Sequence, residues 1–217
     1  MHSFTYSGNY DPTVAWGLGA SLAAINWQAW DKACWINEAR FRDNGGCGYI
    51  KKPQWMLDDV SCLSGLPLAQ PKVLSIHIYS VCYPQKKSQL CCGRVSQSSS
   101  YMFMKFRSDQ VFFFQLTQDD LMLVLDIKGM GVDCQKFKTD YAQDSGRLVV
   151  DKEFEFPIQF PDLAILVMTL KDFDTGTSDD SLAYFSVSVR SIKAGKFKLQ
   201  TLGLDGNPIQ NSWIKVN

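Results

Sequence analysis

Apolar and polar positions alternate from Val73 to Val81 and again from Leu121 to Ile127, and each alternation marks a half-buried β-strand. Shorter β-rich runs follow at Glu153-Phe154-Glu155-Phe156, Ala164 to Leu170, Ala183 to Val189, Phe197 to Leu202 and Trp213 to Val216. Turn signals separate them, among them the hairpin-type Gly203-Leu204-Asp205-Gly206-Asn207-Pro208, and no long helical period intervenes. The pattern predicts a mainly β protein in which residues 72–217 form an antiparallel sandwich. Its core is expected to include Val73, Ile76, Ile78, Leu123, Leu125, Phe154, Phe156, Leu166 and Met168. Burial of each such side chain contributes about 1.5–3 kcal/mol, enough for this part to fold alone.

Residues 1–57 form the other part of the chain, and residues 11–57 have a different texture, rich in tryptophan and alanine. Asp11-Pro12 is a helix start, because proline is tolerated in a first helical turn, and Trp16 to Gly19 would close that helix. The apolar run Ser21 to Trp27 reads as a fully buried strand, and Asp31 to Phe41 as a second helix. Helix, strand and helix in this order suit the closing units of a β/α barrel. A whole barrel needs eight units and about 250 residues, so Trp16, Trp27 and Trp35 would lack a sheet to cover. They must pack on the sandwich, on a partner, or stay partly molten. A linker, residues 58–71, separates the two parts.

Lysine plus arginine equals aspartate plus glutamate, at 22 each, so no global field draws the chain to nucleic acid, and any attraction to an anionic membrane is local. No apolar run approaches the roughly 20 residues needed to span a bilayer, and the first residues, MHSFTYSGNYDP, lack the pattern of a signal peptide. Seven cysteines without a CxxC spacing, and only two histidines, speak against a zinc site and a disulfide framework. Reduced thiols in a cytoplasmic protein, peripheral at membranes, are the expectation.

The segment Phe41-Arg42-Asp43-Asn44-Gly45-Gly46-Cys47-Gly48-Tyr49-Ile50-Lys51-Lys52-Pro53 packs three glycines and an asparagine around aromatics, a density used where the backbone needs positive φ. It closely resembles the segment that ends the catalytic barrel of eukaryotic phosphoinositide-specific phospholipase C. Asn9-Tyr10-Asp11-Pro12, Trp16 and Ala24-Ile25-Asn26-Trp27-Gln28 resemble the family's upstream string at the proper distance, with a departure at Ser21, where the family usually carries glutamine. Residues 72–217 resemble the C2 domain that follows the barrel, through Glu153-Phe154-Glu155-Phe156, Pro161-Asp162-Leu163-Ala164 and Lys171-Asp172-Phe173-Asp174.

The resemblance implies a C2-type β-sandwich preceded by a remnant of the barrel, with Asp120, Asp172, Asp174 and Asp180 where C2 domains place calcium ligands. Calcium takes six to eight oxygens, and carboxylates on loops at one end of a sandwich supply them. Those aspartates also suit ordinary solvated turns, and the Asn-Pro-x-Trp element common in such domains is replaced by Gly146-Arg147-Leu148-Val149-Val150. The family hydrolyses phosphatidylinositol 4,5-bisphosphate to diacylglycerol and inositol trisphosphate with two histidines of the earlier half of the barrel, which no stretch here resembles. His2 and His77 have no neighbour that makes either a general base, so no catalytic residue is assigned and this chain alone is expected to be inactive. The expected partners are a phospholipid surface and, with the earlier half present, the phosphoinositide. A non-catalytic calcium- and phospholipid-binding C2 protein is the alternative.

Between Gln85 and Asp120 the family has a shorter loop. Here an anomalous insert near residues 95–118 includes Tyr101 to Phe106 and Phe112-Phe113-Phe114. Three readings stand: Phe112, Phe113 and Phe114 insert into a lipid interface beside lysine and arginine; the run is an extra buried strand; or the segment is a translated intron.

Overall fold

The computed structural model describes residues 8–57, 71–84, 90–91, 101–105, 111–115, 119–143, 145–174 and 179–217. Two short helices come first, α1 (Pro12–Gly17) and α2 (Lys32–Phe41), followed by β1 (Lys72–Cys82), β2 (Leu90–Cys91), β3 (Tyr101–Lys105) and β4 (Val111–Gln115). The remaining strands are β5 (Leu121–Lys128), β6 (Gln135–Ala142), β7 (Arg147–Ile158), β8 (Ile165–Asp172), β9 (Asp180–Ser188), β10 (Phe197–Gly203) and β11 (Pro208–Val216).

Eight strands form one antiparallel sheet of order β6-β5-β8-β9-β10-β11-β1-β7, and it folds over on itself at the β9–β10 step. Only Leu202–Tyr184 and Gly203–Ala183 pair there, so the sheet divides into two four-stranded layers. Between the layers lie Ile76, Ile78, Leu123, Leu125, Phe154, Phe156, Leu166 and Met168 with their neighbours, a contiguous apolar core. Phe137 closes the opposite edge, its ring 5.1 Å from that of Phe156.

Of the expected core residues Val73 is a correction: it is 64% exposed. Ile76 and Ile78 set the inward parity of β1, which places Val73 on the outer face and turns Leu74 toward the core. The half-buried alternation expected from Leu121 to Ile127 is a further correction: β5, like β8, is buried on both faces, and Leu121 to Ile127 and Ile165 to Leu170 are almost unbroken apolar runs. The outer face of β8 and β9 is covered by the N-terminal segment. Trp16, Trp35, Ile36 and Ala39 form a second core there with Leu163, Ile165, Val167 and Tyr184.

Both helix starts follow their capping chemistry. The Asp11 side chain accepts the Thr13 N–H with Pro12 in the first turn, and Asp31 caps α2 by accepting the Ala33 N–H at 3.0 Å. Burial raises the Asp31 carboxyl, but hydrogen bonds from the Asn9 backbone and side chain and from Cys34 and Ala33 outweigh it and hold the group below its ordinary range. Asn44, Gly45, Gly46 and Gly48 all take positive φ, between 57° and 83°, as the glycine density of that segment requires.

Ser21 to Trp27 is not a strand. Leu22 is 93% exposed, and the Asn9 side-chain amide takes the place of a neighbouring strand by bonding both the N–H and the carbonyl of Asn26. A strand needs a backbone partner along its length, and none is offered among the described residues. Of the three tryptophans tied to this question, Trp16 and Trp35 pack on the sandwich while Trp27 stays half exposed.

The insert contributes β3 and β4, which with β2 just before it form a separate three-stranded antiparallel sheet of order β2-β4-β3, with Phe112, Phe113 and Phe114 on its central strand, opposite Met104, Phe103 and Met102. It shares no strand with the sandwich. The side chains of these three phenylalanines lie outside the described residues.

Candidate functional site: the loop end of the sandwich and the helix-docking face

Strand ends gather the candidate carboxylates. β1 ends at Cys82, β6 at Ala142 and β8 at Asp172, while β5, β7 and β9 begin at Leu121, Arg147 and Asp180. The three connections 83–120, 143–146 and 173–179 therefore leave the sandwich at one end. Asp172 stands opposite Leu121 on one side and opposite Asp180 on the other. The Asp120 N–H donates to Asp172 Oδ1 at 2.7 Å, and the Phe173 N–H returns to the Asp120 carbonyl at 2.9 Å. Burial pushes the Asp172 carboxyl up, and the negative charges of Asp119, Asp174 and Asp120 push it further, against the Asp120 hydrogen bond.

The structure thus brings Asp120 and Asp172 into contact, sets Asp180 across from Asp172, and leaves Asp174 two residues along. It adds Asp119, buried at 6% exposure, whose one mark in the sequence is its place beside Asp120. Asp179 is anchored instead to lysines, accepting Lys138 Nζ at 3.1 Å on its carboxylate and Lys171 Nζ at 2.7 Å on its carbonyl. Among the described residues no three His, Cys, Asp or Glu side chains are close enough to enclose one metal ion. The oxygen chemistry suits a hard cation, but the described side chains alone do not make a closed cage.

The second candidate surface is the seam between α2 and the outer face of β8 and β9. Trp35 stacks on Tyr184 with ring centroids 4.1 Å apart and planes 7° from parallel, and the Ser186 hydroxyl donates to the Trp35 carbonyl. Burial raises the Tyr184 hydroxyl to about 12, with Glu38 adding to the effect. Arg40 donates to the Asp162 carbonyl at 3.0 Å and lies over the Trp16 ring, while Arg42 reaches the Ser186 carbonyl. Lys32 pairs with the buried carboxylate of Asp126, and burial lowers its ammonium in spite of that partner. A cleft of about 470 Å³ opens beside this seam, walled by Arg42, Asp43, Asn44, Phe185 and Arg190. Arg42 is matched there by Glu38, and Arg190 by Asp43 and Asp162, so the cleft carries no marked charge.

His77 lies on the outer face of β1, with Nε2 2.9 Å from the Asp151 carboxylate and its ring against Tyr79; His2 lies outside the described residues. No helix among the described residues is long and apolar enough to cross a membrane.

Residues 2–55 match the family model described as phosphatidylinositol-specific phospholipase C, Y domain. Phosphoinositide phospholipase C 1 of Arabidopsis thaliana is 29% identical over 196 residues, 87% of this chain and 31% of that protein. The 1-phosphatidylinositol 4,5-bisphosphate phosphodiesterase delta-1 of Rattus norvegicus is 25% identical over 98% of this chain and 26% of its own length. The crystal structure of L. pealei PLC21 shares the fold with a TM-score of 0.70 at 22% identity, over 97% of this chain and 24% of that one. The chain spans between 22% and 34% of the length of the curated relatives it matches. Residues 2–55 thus match the phosphatidylinositol-specific phospholipase C Y-domain family, and the chain as a whole is similar to eukaryotic phosphoinositide phospholipases C, with a C2-type sandwich following the Y-domain match.

Proposed function

We propose that this chain is the membrane-docking portion of a phosphoinositide phospholipase C and is not catalytic by itself. In the complete enzyme, phosphatidylinositol 4,5-bisphosphate is hydrolysed to diacylglycerol and inositol trisphosphate by groups outside this chain. The sandwich holds the Y-domain segment at a fixed angle to a lipid surface. The observation that carries this reading is the shared core at the seam. Trp35 on Tyr184, with Arg40 and Arg42 on the carbonyls of Asp162 and Ser186, makes the Y-domain segment and the loop end one body. Localisation follows as cytoplasmic and peripheral at membranes.

In this reading calcium is the cofactor at the loop end, held by Asp120, Asp172, Asp174 and Asp180, with lipid phosphates completing its oxygen shell. The raised Asp172 carboxyl supports it, because crowded carboxylates favour whatever cation relieves their repulsion. Phe112, Phe113 and Phe114 belong to the same end and insert beside the headgroups.

Two measurements test the proposal. The purified chain should sediment with phosphatidylserine-containing vesicles more strongly in calcium than in chelator, and should release no inositol phosphate from phosphatidylinositol 4,5-bisphosphate. Turnover by this chain, or binding indifferent to calcium, overturns the respective part. Replacing Phe112 to Phe114 by serine should weaken vesicle binding, and unchanged binding removes those residues from the contact.

Asp172→Asn gives an independent readout. The native carboxyl titrates above the ordinary value of 3.8, so calcium-free wild type loses stability as pH rises from there through the raised native value. The substituted amide has no such titration and keeps an oxygen for the Asp120 N–H. The variant should therefore melt higher than wild type in chelator at neutral pH, and gain less from calcium. A lower melting temperature in chelator would count against charge crowding at Asp172.

A further inference from the structure

The outer face of the β10-β11-β1-β7 layer carries a feature that the loop end does not use. Lys198 and Lys215 stand directly opposite each other across the β10–β11 ladder. Like charges in that relation oppose pairing, and neither lysine has a carboxylate partner among the described residues. Each lies over an aromatic ring of the same face instead, Lys198 4.7 Å from the centre of the Trp213 ring and Lys215 5.8 Å from that of Tyr79. Arg147 and Val149 extend the patch on β7, where Val149 is 68% exposed. The acidic residues of this face are farther from the loop end. Asp151 is engaged by His77, Glu153 by Ser75, and Glu155 sits opposite Ser75.

Register fixes the place of the patch. Trp213 and Arg147 are both opposite Cys82, the last residue of β1, while Lys215 and Val149 are opposite Ser80. Two residues of strand cover about 7 Å, so the patch adjoins the loop end along one side of the sandwich.

We infer that this face is a second lipid contact, which lays the sandwich on its side against an anionic phospholipid surface without calcium. It rests on the membrane partner proposed above but uses other residues and another force. Tryptophan and tyrosine favour the headgroup level, where an apolar ring meets water. The lysine stems cover the rings while their ammonium groups reach lipid phosphate. An anionic surface brings the counter-charge that the Lys198–Lys215 pair lacks.

The test is sedimentation of the full chain, in chelator, with vesicles of phosphatidylcholine alone or with phosphatidylserine added. Wild type should bind only the mixed vesicles, and more weakly as salt rises. Lys198→Ala with Lys215→Ala should lower that binding roughly twentyfold, about fivefold for each lysine removed. Arginine at both positions should restore it. Lys193→Ala with Lys196→Ala, two exposed lysines before β10, should change it little. No variant should melt below wild type by more than about a degree, since the replaced side chains are exposed and the Lys198–Lys215 pair is repulsive. Equal losses in the two alanine pairs, or equal binding to neutral vesicles, overturn the assignment to this face. If the lysine pair has no effect while calcium still drives binding, this inference falls and the loop-end reading survives alone. If no vesicle is bound in either condition, both readings fall.

Discussion

Replacing Trp35 by alanine is expected to lower the unfolding free energy by about 3–5 kcal/mol, the range for truncating a buried tryptophan. Trp35 is only 6% exposed and lies flat on Tyr184, which is wholly buried, so the truncation would open a cavity in the middle of the seam. The neighbours cannot close it cheaply. Ile36 and Ala39 belong to the same helix, and Ile165 and Val167 are fixed in β8 between two covered faces. Urea unfolding followed by far-ultraviolet circular dichroism measures the loss. Trp35→Phe, which keeps a ring on Tyr184, should recover more than half of it. A loss below about 1 kcal/mol, the level of a typical point substitution, would mean that α2 is not held by this stack.

Asp133→Ala is the second large effect, at about 2–5 kcal/mol, because it would leave the buried Phe160 N–H and the part-buried Gln159 N–H without acceptors, at about 1–3 kcal/mol each. The Asp133 side chain is fully buried, and its two oxygens accept the Gln159 N–H at 2.7 Å and the Phe160 N–H at 2.9 Å. It thereby fastens the β5–β6 connection to the chain leaving β7, next to the Phe160 ring that packs on Trp55. Asparagine keeps one acceptor and turns a donor toward the other N–H, so it should retain only part of the stability. Thermal melts of the two variants check the order, wild type above Asn above Ala. A melt for Asp133→Ala within about a degree of wild type, where a loss of this size shifts the midpoint by several degrees, would show that water replaces the carboxylate.

Much of the sandwich is legible because β1 and β7 keep period two and β5 and β8 are apolar runs of strand length, and eight of the nine side chains expected in the core lie there. Val73 failed through parity alone. The sequence shows that a residue is apolar but not on which side of the pleat it falls until its neighbours are paired. Ser21 to Trp27 failed for another reason: an apolar run becomes a strand only beside a free edge, and here Asn9, 17 residues away, supplies the hydrogen bonds. The helices are legible from local signals, the first from Pro12 in its opening turn and the second from the helical spacing of Cys34, Trp35, Glu38, Ala39 and Phe41. The seam could not be found in that way. Lys32 meets Asp126 across 94 positions and Ser186 meets Trp35 across 151, and no spacing rule links residues so distant. At the loop end the sequence named four carboxylates. The pairing of β5, β8 and β9 brings three of them, Asp120, Asp172 and Asp180, to adjoining strand ends, and leaves Asp174 and Asp119 to act through charge.

The placement of the tryptophans has a spectroscopic consequence. Trp16, Trp27, Trp30, Trp35 and Trp55 all precede the sandwich, and Trp213 is the sixth and last in the chain. Emission from the first group reports whether the Y-domain segment is seated, because Trp16 and Trp35 are buried in the core that this segment shares with the outer face of β8 and β9. Trp213 samples the opposite layer under Lys198. A variant with the first five replaced by phenylalanine would carry a single fluorophore on the face inferred to meet lipid. A blue shift on adding anionic vesicles would then register that contact, and the wild-type spectrum would register release of the helices, so the two events can be followed separately.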